Sequence, residues 1–127
     1  MSREEYLRAV TEMAEQVWDF HERWGFWPFA GSERPASQAI AERQAILDEE
    51  VRELGEAVDE GDEDEIAGEA ADVLFVAMGH VLSLKERGVA GVNSVTSKNA
   101  RKTEETHRVR PDTGKLLPIR GKPHKWD

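Results

Sequence analysis

No cysteine occurs anywhere in this 127-residue chain, which excludes a disulfide framework and any thiolate zinc site. Proline is missing from residues 36–110, with all five prolines at 28, 35, 111, 118 and 123, so nothing in that stretch interrupts a helix. Long apolar runs are missing as well. The longest, Val73 to Met78, is far too short to span a bilayer, and no N-terminal stretch has the apolar centre of a signal peptide. A soluble, cytoplasmic protein without a membrane partner is the expectation. Basic residues are in short supply, 17 Lys/Arg against 26 Asp/Glu for a net charge of −9, which argues against binding a nucleic acid polymer. Also lacking are a Gly-rich phosphate loop, a dinucleotide fingerprint and an evident serine–histidine–acid set. No nucleophilic-catalysis arrangement is apparent, which fits a site that works by positioning and metal electrostatics.

What is present is acid in a pattern. Glu53 and Glu69 each lie eight residues from Gly61, and Glu50 and Asp72 each lie eleven residues from it. If helices flank that glycine, the four carboxylates meet at one level of an antiparallel hairpin. Counting about 100° per residue, Glu50 falls roughly 60° and Glu53 roughly 120° from the apolar stripe of their helix, and Glu69 and Asp72 repeat those offsets from Ile66. Each pair is i, i+3 and sits beside the buried seam. Helices pack about 8–10 Å apart, so facing carboxylates can converge on one ion. Unpaired, they would suffer desolvation and mutual repulsion. Oxygen-only ligands, with His80 the one imidazole nearby, favour Mg²⁺ or Mn²⁺ over zinc. Solvated acids on an exposed helix edge are the plainer alternative.

Four helices are expected. The first begins at a Ser2–Glu5 capping box and runs to about Trp24, with Tyr6, Val10, Met13, Val17, Phe20 and Trp24 along one stripe. An aromatic loop, Gly25 to Gly31, follows. The second helix spans about 35–60 with a stripe of Ile40, Leu47, Val51, Leu54 and Val58. The third is opened by an Asp62–Glu65 capping box and closed near Arg87 by Gly88. It is apolar nearly all round between Ala70 and Met78, as a central or partner-covered helix would be. Asn93 or Ser94 caps a short fourth helix reaching about Thr106. The expected fold is all-α, a four-helix-bundle-type domain over residues 1–106 completed by homodimerisation, with an irregular basic tail over 107–127. Residues 95–127 carry nine Lys/Arg against four acids, while the rest of the chain is strongly acidic. That asymmetry suits a metal-bridged anionic ligand. Arg108, Arg110, Lys115 and Arg120 of the tail either fold over the site or stay mobile.

These residues carry a family resemblance. Glu49-Glu50-Val-Arg-Glu53, fifteen intervening residues and Glu69-Ala-Ala-Asp72 together resemble the EExxE…ExxD signature of the all-α NTP pyrophosphohydrolases, the MazG-like superfamily. Ser97-Lys98-Asn99-Ala-Arg101-Lys102 is similar to that family's Lys-Asn element, which contacts phosphates. The resemblance covers residues 37–102. It implies hydrolysis of a nucleoside triphosphate between the α and β phosphates, giving a monophosphate and pyrophosphate, by dimers or by tetramers built from dimers. It further implies that Glu50, Glu53, Glu69 and Asp72 hold Mg²⁺, and that Glu49, with Glu50 a candidate catalytic residue, binds a second ion or orients the attacking water. Glu49 points away from the seam, a tension with that role.

Lys98, Arg101 and Lys102, at i, i+3 and i+4 of the fourth helix, would stabilise the leaving group's charge, or form an ordinary basic face. Asn99 would bond a phosphate or the sugar. His21, Trp24 and Trp27 are the candidate base contacts, with Phe26 and Phe29 nearby. Trp24 also extends the apolar stripe, His21 doubles as a structural histidine, and Trp27 and Phe29 suit a lid or dimer contact. His80 reads as structural. Pool-cleansing hydrolysis of a surplus or non-canonical (d)NTP is the leading expectation. Phosphoribosyl-ATP pyrophosphohydrolase and a non-catalytic helical dimer are the alternatives.

Overall fold

A computed structural model describes residues 1–120. The fold is all-α, with helices α1 (Arg3–Trp24), α2 (Ala36–Glu60), α3 (Glu63–Ser83) and α4 (Glu86–Ala100), followed by two short strands. The chain divides into two compact units, Met1–Val89 and Ala90 onward.

In the first unit, Ser2 and Glu5 form the expected capping box of α1, and Gly25 at φ 66° ends it by donating to the carbonyls of His21 and Glu22. Gly61, at φ 79°, ends α2 in the same left-handed conformation, with its N–H on Ala57 O at 3.0 Å. Asp62 then caps α3 through the N–H groups of Asp64 and Glu65. The reciprocal half of that box does not form. The Glu65 carboxyl turns to Glu60 across the turn, and the hydrogen bond between them raises its pKa. Two residues therefore suffice to reverse the chain, and α2 and α3 pack as a hairpin, with α1 packed on α3 and reached by Arg43 of α2.

The end of α3 departs from expectation. It stops at Ser83, and the reversal falls on Lys85 at φ 54°. Gly88 is not a cap but a buried position inside α4, where a Cβ would run into the Val81 carbonyl. The glycine permits close approach of α4 to the last turn of α3, so the fourth helix starts at Glu86 rather than near Asn93.

In the second unit, α4 ends at Ala100, short of Thr106, and i→i+3 bonds from Arg101 to Lys98 O and Lys102 to Asn99 O tighten its exit. Residues 107–120 are not irregular. His107–Val109 and Leu116–Pro118 pair antiparallel, and Ile119 N–H to Thr106 O at 2.9 Å extends the ladder. The Pro111-Asp-Thr-Gly114 turn supplies the reason: Gly114 takes φ 74°, and Arg110 braces the turn through Thr113 and Asp112. The remainder of the expected tail lies outside the described residues.

The interior is small. Val17, Ala39, Ala57 and Val76 are its buried apolar members, joined by His21 and Ser83. Trp24 was placed on the core stripe, but it is 62% exposed: His21 of the same turn is buried, while among the described residues Trp24 has only Phe20 and Phe26 beside its ring. Val51 and Val58 of the α2 stripe are likewise more than half exposed. By length and composition α3 would also pass for a membrane-crossing helix, a test core helices meet as well. Glu69 and Asp72 near its middle would be costly in lipid.

Candidate metal centre

The hairpin does to the carboxylates what their spacing requires. One oxygen each from Glu50 on α2 and Glu69 and Asp72 on α3 lie within 4.8 Å of one another. Glu50 Oε2 and Glu69 Oε2 are buried and no hydrogen-bond donor reaches them. Both carboxyls have raised pKa values. For Glu50 the cause is desolvation first, then the charges of Glu53, Asp72, Glu69 and Glu49; for Glu69 it is desolvation, then Glu53 and Asp72. A carboxylate pushed both by burial and by its neighbours is one that a cation would relieve. Three carboxylates, two of them with an orphaned buried oxygen, and no sulfur fit a hard divalent ion.

Glu53, the fourth expected member, stands outside this compact triple. It lies within hydrogen-bonding reach of Glu69 and adds to the repulsion at both Glu50 and Glu69. Glu49 is exposed, in keeping with its angular position away from the seam. Lys98 and Asn99 occupy the last turn of α4, and Arg101 and Lys102 the turn beyond it, so Lys98, Arg101 and Lys102 do not lie on one continuous helix as expected.

Two helical turns along the hairpin lies a cavity of about 490 Å³, walled by Phe20, Phe26, Trp27 and Phe75 and including His21. Of the expected base contacts, His21 and Trp27 line it; Trp24 does not, though its ring stacks on Phe26 at 6.4 Å. Trp27 is fixed by an indole N–H bond to Ser83 O at 2.9 Å, and Arg34 and Lys85 approach its ring at 5.2 and 4.7 Å. Phe29 packs edge-on against Trp18. Neither ring behaves as a free lid.

The cavity also holds a residue that sequence reasoning passed over, Arg43. Its Nη1 donates to His21 Nε2, its Nε to His80 Nδ1 and its Nη2 to Val76 O, each at 3.2 Å. His21 Nδ1–H in turn donates to Val17 O at 2.7 Å, which fixes the tautomer and spends both ring nitrogens. His80 Nδ1 lies 3.2 Å from Arg43 Nε and 3.1 Å from Val76 O, so the guanidinium and the carbonyl share that one ring nitrogen, while Nε2 is buried without a partner. Burial lowers the pKa of both imidazoles, a backbone carbonyl partly opposes that, and the Arg43 charge lowers it further. Gly79 makes room for this arrangement: a Cβ there would overlap the Arg43 guanidinium and come within 3.2 Å of His21. A signal existed. The α2 stripe skips from Ile40 to Leu47, and Arg43 stands where an apolar residue was due.

A helical hairpin with acids from both arms at one level defines a class, the all-α proteins with a candidate divalent-cation site between paired helices. More narrowly, the family model for the MazG nucleotide pyrophosphohydrolase domain matches residues 38–110, and the chain belongs to that family. No curated protein and no solved structure matches it.

Proposed function

We propose that this protein is a Mg²⁺-dependent nucleoside triphosphate pyrophosphohydrolase, with Mn²⁺ a workable substitute, acting on surplus or non-canonical (d)NTPs of the cytoplasmic pool. The observation that carries the reading is the convergence of Glu50, Glu69 and Asp72 with two buried, donorless oxygens. Those three carboxylates hold the ion, and Glu53 steadies Glu69 from outside the triple. When bound, a divalent cation offsets the phosphate charge that this acidic unit would otherwise repel and makes water a better nucleophile. Water adds to the α phosphorus, the bond to the α–β bridging oxygen breaks, and monophosphate and pyrophosphate leave. Glu49, exposed beside Glu50, orients that water or an outer ion. Lys98, Asn99, Arg101 and Lys102 are assigned to phosphate binding on the strength of the family motif.

The aromatic cavity takes the base. Arg43 and Glu50 are seven residues apart on one face of α2, about 10 Å along the axis, a span suited to a nucleoside with its phosphates at the acids. His21 supports that pocket through Arg43, Trp27 forms part of its wall, and Trp24 backs it through Phe26. A second copy of the chain covers the exposed valines of α2, as a homodimer or a tetramer of dimers.

Purified protein should release pyrophosphate from at least one member of a panel of dNTPs, NTPs and phosphoribosyl-ATP when Mg²⁺ is present. Asp72→Asn should abolish it. Absence of pyrophosphate from every substrate, or an equally active Asp72→Asn protein, defeats the catalytic reading.

A further inference from the structure

The cavity has an unusual polar inventory. His21 has no nitrogen to offer a ligand, since both are bonded within the protein. Glu42, at the rim with its side chain 46% exposed, accepts from Arg34 at 3.0 Å and from Gln38 at 3.1 Å. Two guanidinium groups remain: Arg34, paired through Nε to Glu42 at the rim but with a buried Nη1 that has no partner, and Arg43, deeper between His21 and His80. A guanidinium has five N–H bonds and no lone pair. Three of those on Arg43 are engaged, all by neutral acceptors, and no carboxylate among the described residues lies within ion-pair distance of it. The inner wall of the cavity is therefore a cation with donors to spare, set among aromatic rings. Arg43 lies two turns from the carboxylates, so it meets the base edge remote from the sugar.

We propose that Arg43 is the specificity-determining residue of this cavity, and that it selects nucleobases presenting a carbonyl oxygen on the edge remote from the sugar over those presenting an amino group there. This rests on the assignment of the cavity to the base. A keto oxygen satisfies a spare N–H of the guanidinium. An amino group in its place sets donor against donor and leaves a buried charge short of an acceptor, the kind of mismatch that a polar site rejects most strongly. Gly79 belongs to the same device, since any side chain there would push the guanidinium from its seat.

The test uses neutral nucleosides, so that neither metal nor turnover enters. Inosine against adenosine and uridine against cytidine are size-matched pairs that exchange a keto oxygen for an amino group. Their affinities for the full chain are measured by NMR titration, following the Arg43 Nε–H resonance. The keto member of each pair should bind at least about tenfold tighter and shift that resonance, in line with the discrimination a well-placed guanidinium gives between bases. Arg43→Met should bring both members within about twofold, and Glu42→Gln should leave the preference unchanged. Should Arg43→Met fail to fold, the wild-type preference and the Arg43 shift decide by themselves. Equal affinities within the pairs, no saturable shift, a preference that survives Arg43→Met, or its loss in Glu42→Gln would each overturn the proposal. Keto preference without pyrophosphate release sinks only the catalytic reading. Pyrophosphate release without keto preference sinks only this one.

Discussion

Glu50 and Glu69 bring carboxylate oxygens within 4.8 Å of each other across the α2–α3 hairpin, and each has a buried Oε2 without a hydrogen-bond donor. A fold that needed only stability would not keep this pair, because burial and repulsion both oppose the charged forms. The arrangement makes sense as a site whose stability is completed by a ligand.

Removing one of these charges should therefore help the empty protein and harm the loaded one. Glu69→Gln is expected to melt at a higher temperature than wild type in EDTA and to gain nothing from Mg²⁺. Wild type at a hundredfold excess of Mg²⁺ over its dissociation constant should gain about 2.7 kcal/mol. Calorimetric melts with and without Mg²⁺ check both statements; a Glu69→Gln protein stabilised by Mg²⁺ like wild type removes Glu69 from the ligand set.

The pH dependence has a definite sign. Glu50 and Glu69 have folded pKa values above the ordinary 4.5, so the folded state holds their protons more tightly than the unfolded state does. Their stabilising effect is complete below pH 4.5 and is lost as pH rises through the folded values. His21 and His80 work the other way: with folded pKa values below 6.5, they favour the fold above pH 6.5 and withdraw that support as pH falls through the folded values. Denaturant titrations in EDTA should show stability falling with rising pH over the carboxylate range in wild type and not in a Glu50→Gln/Glu69→Gln double variant. An unchanged slope in the double variant contradicts the assignment.

Glu53 and Glu50 should separate on metal affinity. Glu53 acts through Glu69, so Glu53→Gln is expected to weaken Mg²⁺ binding about 10- to 100-fold, the usual cost of losing an outer partner of a ligand. Glu50→Gln removes a ligand oxygen and should lose more. Titration calorimetry that ranks Glu53→Gln below Glu50→Gln in affinity would reverse the roles.

These distinctions show which parts of the site could be read from residue spacing. The carboxylates were legible because two helices and a two-residue turn at Gly61 convert equal chain distances into proximity, and helix periodicity then orients the side chains. Arg43 left only a gap in the α2 stripe, since its setting depends on Gly79, His21 and His80, three positions on two other helices whose packing that gap does not report. Gly88 misled for a related reason. A glycine after an apolar helix reads as a cap, and only the approach of the Val81 carbonyl shows why it is there. Trp24 followed the stripe of α1 faithfully but meets the rings of Phe20 and Phe26 at the surface. The hairpin after α4 had its cue in Pro111-Asp-Thr-Gly114, although its strands, at three residues each, are too short for alternation to show.

Substituting Gly79 tests the Arg43 seat directly. Gly79→Ala forces a methyl group against the guanidinium and should cost about 1–3 kcal/mol, as overpacking does. The local gain in helix propensity, about 1 kcal/mol, works against that loss. Moving the guanidinium also removes a positive charge from beside both imidazoles, so the NMR titrations of His21 and His80 should shift upward together. A stabilised Gly79→Ala protein with unchanged histidine titrations would mean that Arg43 is free to move aside.

The exposed α2 stripe bears on assembly. Val58 is 55% exposed, a position where a polar replacement in a lone chain changes stability by no more than about 0.5 kcal/mol. If a second copy covers this face, a charge there is desolvated on association and must act on the equilibrium between copies. Val58→Asp is accordingly expected to sediment as a monomer at concentrations where wild type is a dimer or larger, while its far-UV circular dichroism stays helical. Wild type that sediments as a monomer throughout removes the covering copy. A Val58→Asp protein that associates like wild type places the interface elsewhere, leaving the α2 valines as ordinary surface.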